Sequence, residues 1–275
     1  MKAFSVTSWN VKHFRGQPSR VQRVVQFLRD QNPDVFSLYE VSGREVFGEL
    51  SSHFPRYTFQ ITEGPQTQEI LVGVKDSLTA FITQKVQFKA GATYMRPGLL
   101  VTITINGLNY CLLFLHLASG TNPRGMGLRD DMITRAIKFR KVLDNEAGGR
   151  GLANYIFLGD LNTMGLEYPY DCDIRAELEL RRADSRASRY YGMRRLSKTH
   201  ATTWTGGSQS ELSDSDLDHV YASNNLSFRQ YPNELSVLND VDVRGWVNHV
   251  GLDRDRWLHD YSDHSLLYFE VQQIN

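Results

Sequence analysis

Cysteine is scarce in this chain: Cys111 and Cys172 are the only two in 275 residues. Thiols so far apart fit neither a disulfide framework nor a zinc-binding spacing, and they point to a reducing compartment. Long apolar runs are missing too. The longest, Tyr110 to Leu115, is too short to span a bilayer, and the opening MKAFSVTSWNVKHF lacks the apolar stretch of a signal peptide. The expected location is therefore cytoplasmic, with no membrane anchor. Charge of one sign is absent as well, since 31 Lys and Arg balance 31 Asp and Glu. No global field draws the protein toward polyanions, so any phosphate binding has to be local. Nothing in the way of repeats, low-complexity tracts or Pro/Ser-rich linkers divides residues 1–275, and a single domain is expected. The 41% hydrophobic share excludes a disordered chain.

What is present is periodicity. Val21, Val24, Val25 and Leu28 follow the i, i+3, i+4, i+7 rule and predict a helix from Ser19 to Asp30, stopped by Asn32 and Pro33. A second amphipathic helix carries Leu128, Met132, Ile133, Ala136, Ile137 and Leu143 and ends at Gly148 and Gly149, and a short one is expected near Glu45 to His53. Strands are predicted at Ala3 to Trp9, Val35 to Leu38, Tyr57 to Ile61, Ile70 to Lys75, Leu78 to Phe88, Leu99 to Ile105, Tyr110 to Leu115, Tyr155 to Leu158, Leu217 to Ala222 and Leu266 to Val271. Much of this reads as an antiparallel meander. The class is α/β, two sheets packed together with helices outside.

Polar residues recur where those strands end. Asn10, Glu40, His116, Asp160 with Asn162, and Asp218 each lie at the edge of an apolar strand, and Ser262-Asp263-His264 precedes another. Each has an ordinary alternative: Asn10 as a turn cap, His116 as a hydrogen-bonded core histidine, Asp160 as the start of an Asx-turn. Six such edges in one domain outweigh the single explanations. Buried carboxylates in a group are costly unless a hard cation neutralises them, and Asp, Glu and Asn are oxygen ligands that suit Mg²⁺.

The motifs SWNV, PDVFSLYEV, LFLHL, FLGDLN, DLDHVY and YSDHS, in this order from residue 5 to residue 269, resemble those of the endonuclease/exonuclease/phosphatase superfamily. These are metal-dependent phosphodiesterases that include deoxyribonucleases and abasic-site endonucleases. The resemblance implies a four-layer αββα sandwich of two mixed or antiparallel sheets with helices on both outer faces. It implies that Glu40 is the principal Mg²⁺ ligand, assisted by Asn10 and Asp263, with Mn²⁺ as a substitute. Asp160 and Asn162 would contact the scissile phosphate and the attacking water, facing the same way on an extended segment. By the same resemblance His264 is a catalytic imidazole oriented by Asp218, and His116 is a second one. Glu69 stands where secreted deoxyribonucleases carry a glutamate partnering that histidine, and Arg96 resembles their phosphate-contacting arginine. Tyr39 departs from the pattern, since many members carry Gln there. His219, next to Asp218, should face away from the site and be structural.

For substrate, the stretch Arg175 to Lys198 holds eight basic residues against three acidic, a net +5, with Tyr190 and Tyr191 inside it. Arginine and tyrosine interleaved can bind phosphates and stack bases, so Arg194 and Arg195 are expected to contact a nucleic acid, with DNA as the expected substrate. The ordinary alternative is a solvated face. The reading is therefore a Mg²⁺-dependent nuclease. Its rival is a phosphatase or phosphodiesterase acting on a small phosphorylated metabolite or a lipid headgroup. A catalytically inactive binding module is disfavoured because Glu40, Asp160 and His264 are all present.

Overall fold

A strand that alternates apolar residues on both faces belongs between two layers. β1 (Lys2–Phe14) does so in the computed structural model, which describes residues 1–64, 68–170 and 172–274, with the backbone alone at residue 44. Phe4 and Val6 face a second sheet, whereas Trp9 and Val11 face helices. Chain order continues with α1 (Pro18–Asp30), β2 (Val35–Val41), α2 (Arg44–His53), β3 (Tyr57–Ile61), β4 (Glu69–Lys75), β5 (Thr79–Lys85), β6 (Gly98–Ile105), β7 (Leu108–His116) and α3 (Pro123–Glu146). Then follow β8 (Asn154–Asp160), α4 (Ala176–Tyr191), β9 (Met193–Arg195), β10 (Asp218–Ser223), β11 (Tyr231–Pro232), β12 (Leu238–Asn239), β13 (Asp242–Arg244), α5 (Gly251–Asp260) and β14 (Leu266–Gln272).

Two six-stranded sheets result, ordered β13-β14-β1-β2-β4-β3 and β5-β6-β7-β8-β10-β9. The layer between them is filled by Val35, Val72, Val101, Leu112, Ile156, Val220 and Phe269 among others. On the first sheet's outer face lie Val21, Val24 and Leu28 of α1, Val46 and Leu50 of α2 and Trp257 of α5. On the second lie Met132, Ile133 and Ala136 of α3 with Ala183 and Ala187 of α4. This is the expected four-layer sandwich. The meander holds for β5, β6 and β7, but β1–β2 and β7–β8 pair in parallel, each bridged by a helix, α1 and α3. The strand predicted to run from Leu78 to Phe88 stops at Lys85. A short 3₁₀ turn, Val86–Lys89, then swings Phe88 out of the strand line and into the helix-side core. α5 buries Trp257 alone, and β11 to β13 have two or three residues each, too few to carry a period. No helix among the described residues is long and apolar enough to cross a membrane.

Candidate active site

Register gathers the polar strand ends at one rim. Parallel pairing sets His116 beside Asp160, and antiparallel pairing sets Asp218 on the other side of the same aspartate. In the first sheet Asn10 sits beside Tyr39, one residue before Glu40, while β14 starts just after Asp263 and His264. Asn10 joins the two sheets: its Nδ2 donates to Asp160 Oδ2 at 2.8 Å and to Glu40 Oε1 at 3.2 Å. Two of these residues occupy the left-handed backbone region, Glu40 at φ 63 and Asn162 at φ 50. Such a conformation costs about 1–3 kcal/mol outside glycine and persists where its surroundings hold it. For Glu40 the support is the His13 N–H, which donates to Oε2 at 2.8 Å. For Asn162 it is Asp160 Oδ1, which accepts the Asn162 N–H at 3.0 Å, and the Leu117 carbonyl, which accepts from Nδ2 at 3.2 Å. Gly159, at φ 138, lets Leu115 O and the Tyr39 hydroxyl approach where a side chain would stand. Tyr39 is buried there, bonded to Ser8 and Ser37, its ring edge-on to His116.

Asp160 is the electrostatic centre. Burial and the nearby Asp218 charge raise its carboxyl to about 7, although the His264 charge opposes this. His264 Nδ1 donates to Asp218 Oδ2 at 2.8 Å. Burial alone would lower the His264 imidazole, but Asp218 and Asp160 together lift it to about 10. His116 goes the opposite way: burial, Arg96 and His264 push it well below the ordinary histidine value. One imidazole is thus held as a cation and the other neutral, a division that suits acid and base roles.

The residues also fit a hard divalent cation. Asp160, Asp218 and His264 each offer a donor atom, all within 4.8 Å of one another, and form a possible metal site. Asp218 Oδ1 is buried with no hydrogen-bond partner among the described residues. His264 Nδ1 is engaged with Asp218, which leaves its Nε2 facing Asp160, and on the other side of Asp160 the Glu40 carboxylate lies across the Asn10 amide, whose Oδ1 accepts the Lys12 N–H at 3.0 Å. Asp263 is paired with Lys12 at 2.9 Å.

Other expectations need correcting. Glu69 opens β4 in the first sheet, whereas His116 ends β7 in the second, and the two do not pair. The Glu69 carboxylate accepts from the Thr62 hydroxyl, burial raises it above the ordinary carboxyl value, and His116 Nδ1 has no partner among the described residues. Arg96 does reach the site's edge, donating to the His116 carbonyl at 3.4 Å and to Gln68 Oε1 at 3.1 Å. Arg194 and Arg195 line a groove beside α4 and each also has a partner within the fold. Arg194 lies over Phe228 and donates to Leu226 O at 3.1 Å, and Arg195 forks onto Asp184 at 3.0 Å. The helical half of that basic segment buries Glu179, Leu180, Ala183 and Ala187. His219 is buried against Thr163 and Asp216, and burial lowers it to about 3, in keeping with a structural role.

Sequence reading missed one organiser of the site, Arg129. It is fully buried in α3 and forks onto Glu179 of α4 at 2.8 and 3.2 Å. Its remaining N–H groups donate to the Ala118, Gly120 and Gly165 carbonyls at 3.2, 2.6 and 2.8 Å, and Glu179 accepts the Gly165 N–H at 2.8 Å. The pair therefore ties the loop after His116 to the loop carrying Asn162. The clue was an arginine on the buried face of an amphipathic helix, one position past Leu128. Breaking a buried pair costs about 3–5 kcal/mol, so stability alone does not identify the role. The informative comparison is Arg129→Met with Arg140→Met, since Arg140 is also buried but, among the described residues, pairs with Asp144 at 3.6 Å and donates to the Gly192 carbonyl, away from the site loops. Both variants should melt earlier, and Arg129→Met alone should lower kcat on a small phosphodiester, at least tenfold. Equal kcat in the two would mean that the clamp does not set the site.

Comparison with known proteins matches this geometry. The sequence pattern of the Endonuclease/Exonuclease/phosphatase family fits residues 7–264. No curated protein sequence matches the chain significantly. Among solved structures, truncated TDP2 of Caenorhabditis elegans superposes with a TM-score of 0.68 at 19% identity, covering 98% of each chain. TDP2 of D. rerio, crystallised with a single-strand DNA product, gives 0.65 at 18% identity over 98% of this chain and 99% of that one. A mannosyl-6-phosphatase of Bacteroides thetaiotaomicron gives 0.58 at 12% identity over 98% and 100%. At such identities the likeness establishes the fold, and the family pattern covers the strand-end residues from Asn10 to His264. The chain belongs to the Endonuclease/Exonuclease/phosphatase family, whose members are metal-dependent phosphoesterases and nucleases.

Proposed function

We propose that the protein is a Mg²⁺-dependent phosphodiesterase that hydrolyses DNA. The observation that carries this reading is the convergence on one oxygen, Asp160 Oδ2, of Asn10 Nδ2 at 2.8 Å, His116 Nε2 at 3.6 Å and His264 Nε2 at 3.9 Å. Two imidazoles and an amide around a carboxylate can grip a phosphoryl group while the carboxylate directs water at phosphorus. Glu40 and Asp263 would hold Mg²⁺ or Mn²⁺, with Asn10 orienting the Glu40 carboxylate through its Nδ2, and the ion when bound would neutralise charge on a phosphoryl oxygen. Asp160 and Asn162 orient the attacking water, and Asp160 accepts its proton. His264, kept cationic by Asp218, donates to an oxygen on which charge grows. His116, neutral, supplies a second hydrogen bond.

DNA is favoured because a relative of the same fold was crystallised with a DNA product and because Lys12, Arg20 and Arg96 act on the charges of Asp263, Glu40 and Asp160. The likeness to a sugar phosphatase and the zero net charge support a second reading, hydrolysis of a small phosphorylated metabolite. The test presents supercoiled plasmid, single-stranded DNA, RNA, a chromogenic phosphodiester and a sugar monophosphate with Mg²⁺ and with excess chelator. Metal-dependent cleavage of DNA is expected. Turnover of the sugar phosphate alone would favour the second reading, and full activity in chelator would remove the metal from the mechanism.

A further inference from the structure

The chemistry proposed above leaves a neighbouring cleft unused. It encloses about 340 Å³ beside the segment that follows His116 and is bounded by Gln68, Tyr94, Arg96, Ser119, Asn122 and Arg124. Arg96 and Arg124 are the charged residues of its lining, and no carboxylate lines it. Arg96 is fixed there by Gln68 and the His116 carbonyl. Arg124, in the first turn of α3, lies over the Tyr94 ring at 4.8 Å and has no ion-pair partner among the described residues. Two guanidiniums facing one polar cleft, with the positive end of a 24-residue helix behind them, are mutually repulsive until an anion enters. Arginine's planar fork is shaped for phosphate. Because Arg96 lines the cleft and also donates to the His116 carbonyl, the cleft adjoins the rim that carries Asp160.

We infer that this cleft is a second phosphate subsite, which takes the phosphate next to the scissile one and so selects a polynucleotide over a one-phosphate ester. The inference rests on the phosphodiesterase reading and deepens it. Arg124 supplies the discrimination, since Arg96 also borders the catalytic groups.

The experiment compares wild type, Arg124→Gln and Arg135→Gln. Arg135 also lies on α3, exposed and paired with Asp131, and removes the same charge elsewhere. kcat/KM is measured on a chromogenic diester with one phosphate, on oligothymidylates with two to five, and on a sugar bisphosphate. Wild type and Arg135→Gln should gain at least tenfold on passing from one phosphate to two, and Arg124→Gln should lose most of that gain. The rise should shrink as salt increases. A matching gain on the sugar bisphosphate would mean that the subsite reads phosphate whatever carries it, and a gain confined to oligothymidylates would identify a nucleic acid site. Pyrophosphate binding, measured calorimetrically in chelator, is the readout independent of turnover, and Arg124→Gln should weaken it at least fivefold. If that weakening is found while no nucleic acid is cleaved, the subsite stands and the nuclease reading falls. An equal loss on one-phosphate and longer substrates, or no loss on any, overturns the subsite.

Discussion

Glu40→Gln should abolish turnover, by about a thousandfold or more, while leaving the fold intact. The substitution keeps the shape of the side chain and one carbonyl oxygen, which can still accept from either the His13 N–H or the Asn10 amide, while the new NH₂ group, on a half-buried side chain, turns to solvent. What it removes is the charge that would hold a divalent cation at the edge of a buried carboxylate group. Two measurements separate this from a folding defect. In chelator the variant should melt at or above the wild-type temperature, because one repelling charge has gone from the neighbourhood of Asp160. Added Mg²⁺ should stabilise wild type, which binds it in the folded state, and should do little for the variant. An active Glu40→Gln protein, or a variant stabilised by Mg²⁺ as strongly as wild type, would move the metal away from Glu40, and the Asp160, Asp218 and His264 cluster would become the alternative site.

The second large effect concerns the pair at 2.8 Å, His264 and Asp218. His264→Ala and Asp218→Asn should each lower kcat by about a thousandfold, since an asparagine cannot sustain the imidazolium. The double variant should be little worse than His264→Ala alone, because residues acting as one unit are strongly non-additive. Losses that multiply would show two independent contributions and would break the proposed pairing. Among the described residues Asp218 Oδ1 accepts no bond, so the variant removes no second hydrogen bond at that position.

The site was legible in the sequence because its members end apolar strands: a strand's polar terminal residue reveals its rim even when its partners are unknown. Asp160 beside His116 and Asp218 needs only the register that the buried faces impose. What the sequence withheld were relations that depend on the third dimension. The backbone turn at Glu40 is invisible, because glutamate does not announce a left-handed conformation as glycine, or more weakly the asparagine at 162, does. The Arg129–Glu179 pair spans fifty positions between two helices, and the apolar pattern of each helix conceals it. Arg194 and Arg195 show a further limit. Composition counts charges, but it cannot tell a guanidinium offered to solvent from one already forked onto Asp184 or laid over Phe228.

The pairing of β1 with β14 carries a consequence for how the site comes into being. Thr7 meets Tyr268 and Ser8 meets Leu267, so one wall of the catalytic rim is closed by strands more than two hundred residues apart. Contacts of such long sequence separation are the kind that slow folding, because loop-closure entropy is lost before they form. A chain released before β14 is made already carries Glu40, His116 and Asp160 but has neither Asp263 nor His264. On the proposed roles of Asp263 and His264, the catalytic rim is complete only when β14 docks against β1.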